Sequence, residues 1–469
     1  MHMTSNKLRQ VLSLFALLVF AGIFQNCSIG SAGDAGSPPN GSNGDLVSAT
    51  NISLNDSESW PSNSKLQRGV LHSTAPFQES VINSLGLTSW RLGDLGAQND
   101  IKSYNLPVTQ VISDLYMKAL GTSTFAPWNN WDQYESICKQ IVQYAVDRGI
   151  DVTYWEIANE VDSLIPAGTD AASQQEAFDR YRELTRRTIR AVRSVKPTGK
   201  IVGFGLSSFD SNIAAIYLDF LKSENLKIDA FAWHVIGNDP IVIGPQVTLA
   251  RQLIAARGLS FEIHIGEFLG GQHHLIPAWN LAYLAALHEA HVESYSRACW
   301  HRTLGGGVTS ECVSGLDGLL LANNSTLTRI GALYAATTAM FGPRLKSILP
   351  TGDGRWAGLL SFDSAVKRGT LIIGSYSCGA AGKWCVFTDT QVADRKKLLT
   401  PTTWSLKSAA YAGRTITLVQ KVIRNENLEA GAGVLPVTTQ MVTADAQGAF
   451  SISVAINDGD VMIVEFSSP

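Results

Sequence analysis

Charge is scarce in this chain and nearly balanced in sign. Charged residues make up 16% of the sequence and the formal net charge is -3. No basic cluster lies in the mature part, so there is no electrostatic reason to expect a nucleic-acid partner. No G-x-S-x-G elbow occurs, which removes the usual serine hydrolase. Zinc signatures are missing too. His288 and His291 in "HEAH" stand three apart, one residue short of the zincin spacing, with no third ligand evident. His273 and His274, after "FLGGQ", make no metal set either. "GFGLSS" at 203–208 lacks the third glycine of a dinucleotide loop and follows the fifth strand-like segment, not the first. No metal or cofactor is expected, and no internal repeat is present.

Long apolar runs are also missing. "VLSLFALLVFAGIF", residues 11 to 24, falls short of the ~20 residues that span a bilayer. Lys7 and Arg9 precede it, so it reads as an export signal. Cys27 follows the apolar core, as in a lipoprotein signal, with Gln25 and Asn26 where small residues usually stand. The expectation is a signal segment over 1–27 with Cys27 lipidated, and a membrane anchor in the bacterial cell envelope. Residues 28–58 are rich in Gly, Ser, Pro and Asn and read as a flexible linker. "ATNISLNDSES" within it could add a strand to a later domain. Export permits disulfides. Cys299 with Cys312 and Cys378 with Cys385 are the candidate local pairs, and Cys138 is left as a buried thiol.

Residues 59–340 alternate strand-like and helix-like segments. The strands are expected at 66–73, 88–96, 108–116, 152–160, 200–208, 229–237, 261–269 and 292–300. Amphipathic stretches such as "QQEAFDRYRELTRRTIRAVRSV" lie between most of them. Eight strands in this length match a (β/α)8 barrel. Residues 341–469 instead carry short, β-branched segments between Gly, Asp and Asn turns, which reads as a sandwich. The fold class is therefore α/β, a TIM barrel with a C-terminal all-β sandwich domain.

In such a barrel, chemistry sits at the C-terminal ends of the strands. Glu160, in "YWEIANEVDS", is expected at the end of strand four, and Glu267, in "IHIGEFLGG", at the end of strand seven. Two opposed carboxylates are the minimum equipment for glycoside hydrolysis. One stays protonated to serve the leaving oxygen, and the other stays ionised to attack the anomeric carbon.

"WEIANE" and "GEF" on those strands resemble clan A glycoside hydrolases. The barrel followed by a sandwich most resembles family 39, the xylosidase and iduronidase group, over residues 60–469. The resemblance implies Glu160 as acid/base, Glu267 as nucleophile and Asn159 as the partner of the sugar's 2-hydroxyl. His234, at the end of strand six, matches a polar residue near the nucleophile, followed here by Val235 and Ile236 with no tyrosine. Val161 stands where Pro is common after the Asn-Glu pair.

Several side chains keep two readings. Glu156 shares the parity of Glu160 on an ideal strand and reads as a core carboxylate with Arg91 as partner. Arg91, ending strand two, could instead orient the nucleophile. His72 and Trp300 are pocket walls or core. Trp128 and Trp131, in "FAPWNNWDQY", offer indoles to sugar faces or pack a loop. The expected function is an exported retaining glycoside hydrolase acting on a carbohydrate substrate. The alternatives are a glycan-binding surface lipoprotein without catalysis and a transglycosidase using the same two Glu.

Overall fold

The structure, a computed structural model, describes residues 50–53, 67–71, 77–93, 104–165, 170–237, 239–268, 276–298, 303–304, 307–308, 315–321, 325–340, 345–349, 356–376, 402–425 and 437–469. Cys27, His72, His273, His274, Cys299, Trp300, Cys312, Cys378, Cys385 and one short segment of the C-terminal part, "KWCVFTD" at 383–389, lie outside the described residues. Among those described, no helix is long and apolar enough to cross a membrane.

Eight parallel strands close a barrel: Gln67–Leu71, Ser89–Leu92, Val108–Val111, Val152–Glu156, Lys200–Leu206, Ala230–Val235, Glu262–Phe268 and Ser294–Arg297. Each pairs with the next in sequence, and the last returns to the first, Ser294 lying opposite Gln67. All eight fall within the segments expected from the sequence. The outer helices form where an apolar stripe recurs at helical spacing behind a capping side chain. Asp170 caps Ala171–Val195 by accepting from the Ser173 N–H at 2.9 Å. Asp210 does the same for Ser211–Ser223, accepting from Asn212 and Ile213.

In two of the expected strand segments the chain leaves the strand early and turns helical. "VTQVISDLY" is a strand only to Val111, and a helix, Ile112–Leu120, starts with no loop between. Ile112, Leu115 and Tyr116 are buried at the i, i+3, i+4 spacing of one helix face, and Gly121 at φ 62° ends the run. The fourth strand stops at Glu156, so Glu160 lies beyond the strand, at the start of a short helical turn, Val161–Leu164.

The C-terminal part is built from two sheets. Six strands run in the spatial order Leu345–Ile348, Trp356–Asp363, Arg368–Ser375, Val461–Ser467, Thr415–Ile423, Val437–Thr443, all antiparallel. Three more, Thr50–Ser53, Thr402–Lys407 and Ala449–Val454, form the facing sheet. Residues 50–53 thus add the strand that the linker sequence suggested, parallel to Thr402–Lys407.

Three neighbouring strands of the larger sheet, Trp356–Asp363, Arg368–Ser375 and Val461–Ser467, are buried on both faces, and period-2 alternation divides their side chains between two cores. Leu360, Phe362, Leu371, Ile373, Val464 and Phe466 face the smaller sheet. Ala357, Leu359, Ile372, Val461 and Ile463 belong to the barrel's core. The barrel helix Pro277–Glu289 meets that second face. Its residues from Pro277 to His288 are all buried, which explains why "PAWNLAYLAALHE" has no polar side.

Candidate active site

Arg91, Glu156, Asn159, Glu160, His234 and Glu267 all come from the C-terminal ends of barrel strands two, four, six and seven or the residues just after them. The structure brings them into one hydrogen-bonded group. Arg91 Nε donates to Glu156 Oε2 and Nη2 donates to Glu156 Oε1, each at 2.7 Å. Nη2 also donates to Asn159 Oδ1 at 2.9 Å, and Nη1 to Glu267 Oε1 at 2.9 Å. Arg91 therefore pairs with the core carboxylate Glu156 and also reaches Glu267. Arg91, Glu156 and Glu267 are each only 2% exposed. Burial works against the Arg91 charge, but pairing with Glu156, Glu267 and Asp114 raises its pKa above the ordinary value.

His234 stands between the two carboxylates. Its Nδ1 is 3.1 Å from Glu160 Oε1 and 3.8 Å from Glu267 Oε2. The hydrogen bond from His234 holds the Glu160 carboxyl below the usual carboxylate range; burial opposes this, and the charges of His234 and Arg91 add to it. Glu267 Oε2 and His234 Nε2 are buried without a hydrogen-bond partner. One carboxylate oxygen is thus without a hydrogen-bond partner while the other is tied to Arg91.

One ligand atom from each of Glu160, His234 and Glu267 lies within 4.8 Å of the other two. Two carboxylates and an imidazole are donors that a divalent transition metal accepts. Here the Arg91 guanidinium already balances Glu267, and a dication would sit beside that fixed positive charge.

Local backbone geometry aims these side chains. Along strand seven, Glu262 and His264 point into the barrel, where Glu262 Oε2 accepts from Tyr154 Oη at 2.5 Å. Plain alternation would send Gly266 inward and Glu267 outward. The pairing with strand six skips instead: Trp233 lies opposite Ile265, and His234 opposite Glu267. Gly266 is the extra residue of a β-bulge that turns Glu267 toward the mouth. A Cβ on Gly266 would lie 3.2 Å from both Cδ2 and Nε2 of His234.

Glu160 adopts φ 45°, ψ 58°, a left-handed conformation that non-glycine residues rarely hold. The loop before it rests on Gly205, whose φ is +53° and whose absent Cβ would stand 2.3 Å from the Ala158 carbonyl oxygen. Ser113, in the helix after strand three, accepts from the Asn159 N–H at 3.0 Å.

Trp128 and Trp131 are half-buried and lie elsewhere. They line an open cleft of ≈ 620 Å³ with Ala172, Gln175, Glu176, Asp179, Arg180 and Glu183, between the helices that follow strands three and four. The Arg180 guanidinium covers the Trp128 ring at 4.6 Å, and Trp131 meets Tyr134 edge-on. None of the residues around Arg91 lines that cleft. Cys138 is buried and free, as the sequence suggested.

No family model matches the chain, and no curated protein does. Solved structures match it closely in shape at low identity. The structure of N2152 from Neocallimastix frontalis superposes with a TM-score of 0.66 at 16% identity, covering 86% of this chain and 95% of that one. The GH39 enzyme from Xanthomonas axonopodis pv. citri gives 0.59 at 14% identity, over 90% and 98%. A monomeric beta-xylosidase from Caulobacter crescentus CB15 gives 0.57 at 14% identity, over 89% and 99%. The chain shares their fold from barrel through sandwich.

Proposed function

We propose that this protein is a retaining glycoside hydrolase, with Glu267 as nucleophile and Glu160 as acid/base. The observation that carries the reading is the distance between them. An oxygen of each lies within 4.8 Å of the other, near the ~5–5.5 Å of a directly attacking carboxylate and short of the ~6.5–9.5 Å that admits a water. The likeness in fold to structures named as a beta-xylosidase and a GH39 enzyme supports the same class.

The chemistry follows from the two environments. Arg91 Nη1 donates to Glu267 Oε1 and fixes the carboxylate, leaving Oε2 to attack the anomeric carbon. As that bond forms, the bond to the leaving oxygen breaks and the oxygen takes the Glu160 proton. Glu160, now ionised and hydrogen-bonded to His234, then removes a proton from water. The water attacks the same carbon and frees Glu267. In the empty site His234 favours ionised Glu160. A bound sugar displaces water from this partly exposed carboxyl, and the loss of solvent raises its affinity for the proton. Asn159, with Oδ1 turned to Arg91, has its amide N–H groups left for the hydroxyl beside the anomeric carbon. A glycan binder would have no need of a second carboxylate opposite the first.

The test uses 4-nitrophenyl β-xyloside and β-glucoside. Glu160→Ala should keep activity on such activated leaving groups, lose it on natural disaccharides, and be rescued by azide with a glycosyl azide of retained configuration. Proton NMR should show the first product anomer matching the substrate. Inversion would overturn the retaining mechanism, and rescue in Glu267→Ala with retention would reverse the two roles.

Export with a lipid anchor at Cys27 is part of the same proposal. It is supported by Lys7, Arg9, the apolar run at 11–24 and the tether after Cys27. Fatty-acid labelling should mark the wild type and not Cys27→Ser.

A further inference from the structure

A fourth carboxylate, beside Glu156, Glu160 and Glu267, stands at the barrel mouth and plays no part in the steps above. Strand three runs straight into its helix, which puts Asp114 in the first helical turn on the same rim as Asn159 and Glu160. Ser113 Oγ is 3.1 Å from Asp114 Oδ1 and also receives the Asn159 N–H. The Asp114 side chain lies across Gly93, two residues past Arg91. A Cβ on Gly93 would stand 2.4 Å from Asp114 Oδ2 and 2.9 Å from its Cβ. The residue is partly exposed, and among the described residues no donor reaches Oδ2. Burial raises the Asp114 pKa, Arg91 opposes this, and the negative charges of Glu156 and Glu267 add to it.

The charges around this mouth are one-sided. Asp114, Glu156, Glu160 and Glu267 face one permanent cation among the described residues, Arg91. Four of the five Arg91 N–H groups are already used on Glu156, Asn159 and Glu267. A sugar carboxylate entering here would meet like charge and a nearly saturated guanidinium. A neutral sugar would find, at Asp114 Oδ2, an acceptor that no donor among the described residues occupies. Building on the hydrolase reading, we infer that the sugar bound against Glu267 is uncharged, and that Asp114 selects it by accepting one of its ring hydroxyls.

Two arms test this. In the first, kcat/KM is measured for 4-nitrophenyl β-xyloside and β-glucoside against 4-nitrophenyl β-glucuronide and 4-methylumbelliferyl α-iduronide. The better neutral substrate should exceed either uronide by at least about a hundredfold; a uronide turned over as fast overturns the inference. In the second arm, monodeoxy versions of the better neutral substrate are compared in wild type, Asp114→Asn and Asp114→Ala. One deoxygenation should cost wild type about ten- to a hundredfold, the range of a hydrogen bond to a charged group. Asp114→Ala should lose a similar factor on the parent and nothing further on that deoxy analogue. Independent, multiplying losses would show that Asp114 acts only on the fold. Should no glycoside be cleaved, the hydrolase reading fails, and calorimetry with xylose, glucose and glucuronate still reads the inference. Neutral binding weakened in Asp114→Ala upholds it; glucuronate binding, or no binding at all, overturns it.

Discussion

Arg91 holds Glu267 by a single hydrogen bond of 2.9 Å from Nη1, while its Nε and Nη2 close on Glu156. A flat fork meets two carboxylates at once, which a lysine ammonium cannot do. Arg91→Lys should therefore keep the buried charge and the fold but release Glu267, lowering kcat by about 10²-fold. Arg91→Met leaves buried carboxylates without a cation and should cost about 3–5 kcal/mol of stability. Urea unfolding and steady-state kinetics on the two variants separate these effects.

Glu160 sits in a left-handed conformation with φ 45°. Any L-residue with a Cβ is strained there by about 1–2 kcal/mol, and glycine is not. Glu160→Gly should unfold at higher denaturant than Glu160→Ala, although both lack the acid/base. Equal midpoints would mean that the backbone relaxes once the side chain is gone.

The pH profile should depend on His234. Glu160 must carry a proton to serve the leaving oxygen, so a carboxyl held low makes kcat/KM fall early as pH rises. His234→Ala removes the hydrogen bond that favours the ionised form. The Glu160 pKa then rises, and the alkaline limb should move to higher pH while the rate falls. An unmoved limb would assign it to another group.

His288 gives a separate prediction for stability. It lies on the helix against the large sheet, with Nδ1 3.0 Å from Ser347 Oγ. Burial first, then the charges of His291 and Arg68, lower its pKa to about 4. Unfolded histidine titrates near ~6.5. Between those values the unfolded chain binds the extra proton, so stability is lost as pH falls from ~6.5 toward 4, on the order of 3 kcal/mol at most. Thermal melts of His288→Gln should show a shallower decline over that range than wild type.

The sequence exposed the barrel because its strands are apolar runs separated by helices of clear period. It exposed Glu160, Glu267 and Arg91 because charged residues at strand ends stand out against such runs. It hid what depends on backbone irregularity. The bulge at Gly266 reverses the parity of Glu267, and no pattern of side chains announces it. The edge strand Val437–Thr443 is almost wholly exposed, so no alternation marked it. Asp114 was missed because "VTQVISDLY" reads as one strand until the burial of Ile112, Leu115 and Tyr116 on one helical face is known. Trp128 and Trp131, which the sequence offered as sugar-stacking or loop-packing indoles, line a cleft between two helices, away from the carboxylates.

A final consequence follows from the strands that are buried on both sides. Helix Pro277–Glu289, a few residues past the strand that carries Glu267, depends on their sheet for cover. Ala278 N–H bonds to the Gly459 carbonyl at 3.1 Å, and Trp279 packs on Tyr376 at 4.8 Å between ring centres. A gene cut after residue 344 would therefore yield a barrel with a largely apolar helix facing water. Such a fragment should collect in inclusion bodies rather than behave as a minimal enzyme. Anyone seeking a smaller catalyst would have to repaint that helix with polar side chains before removing the strands that now shelter it.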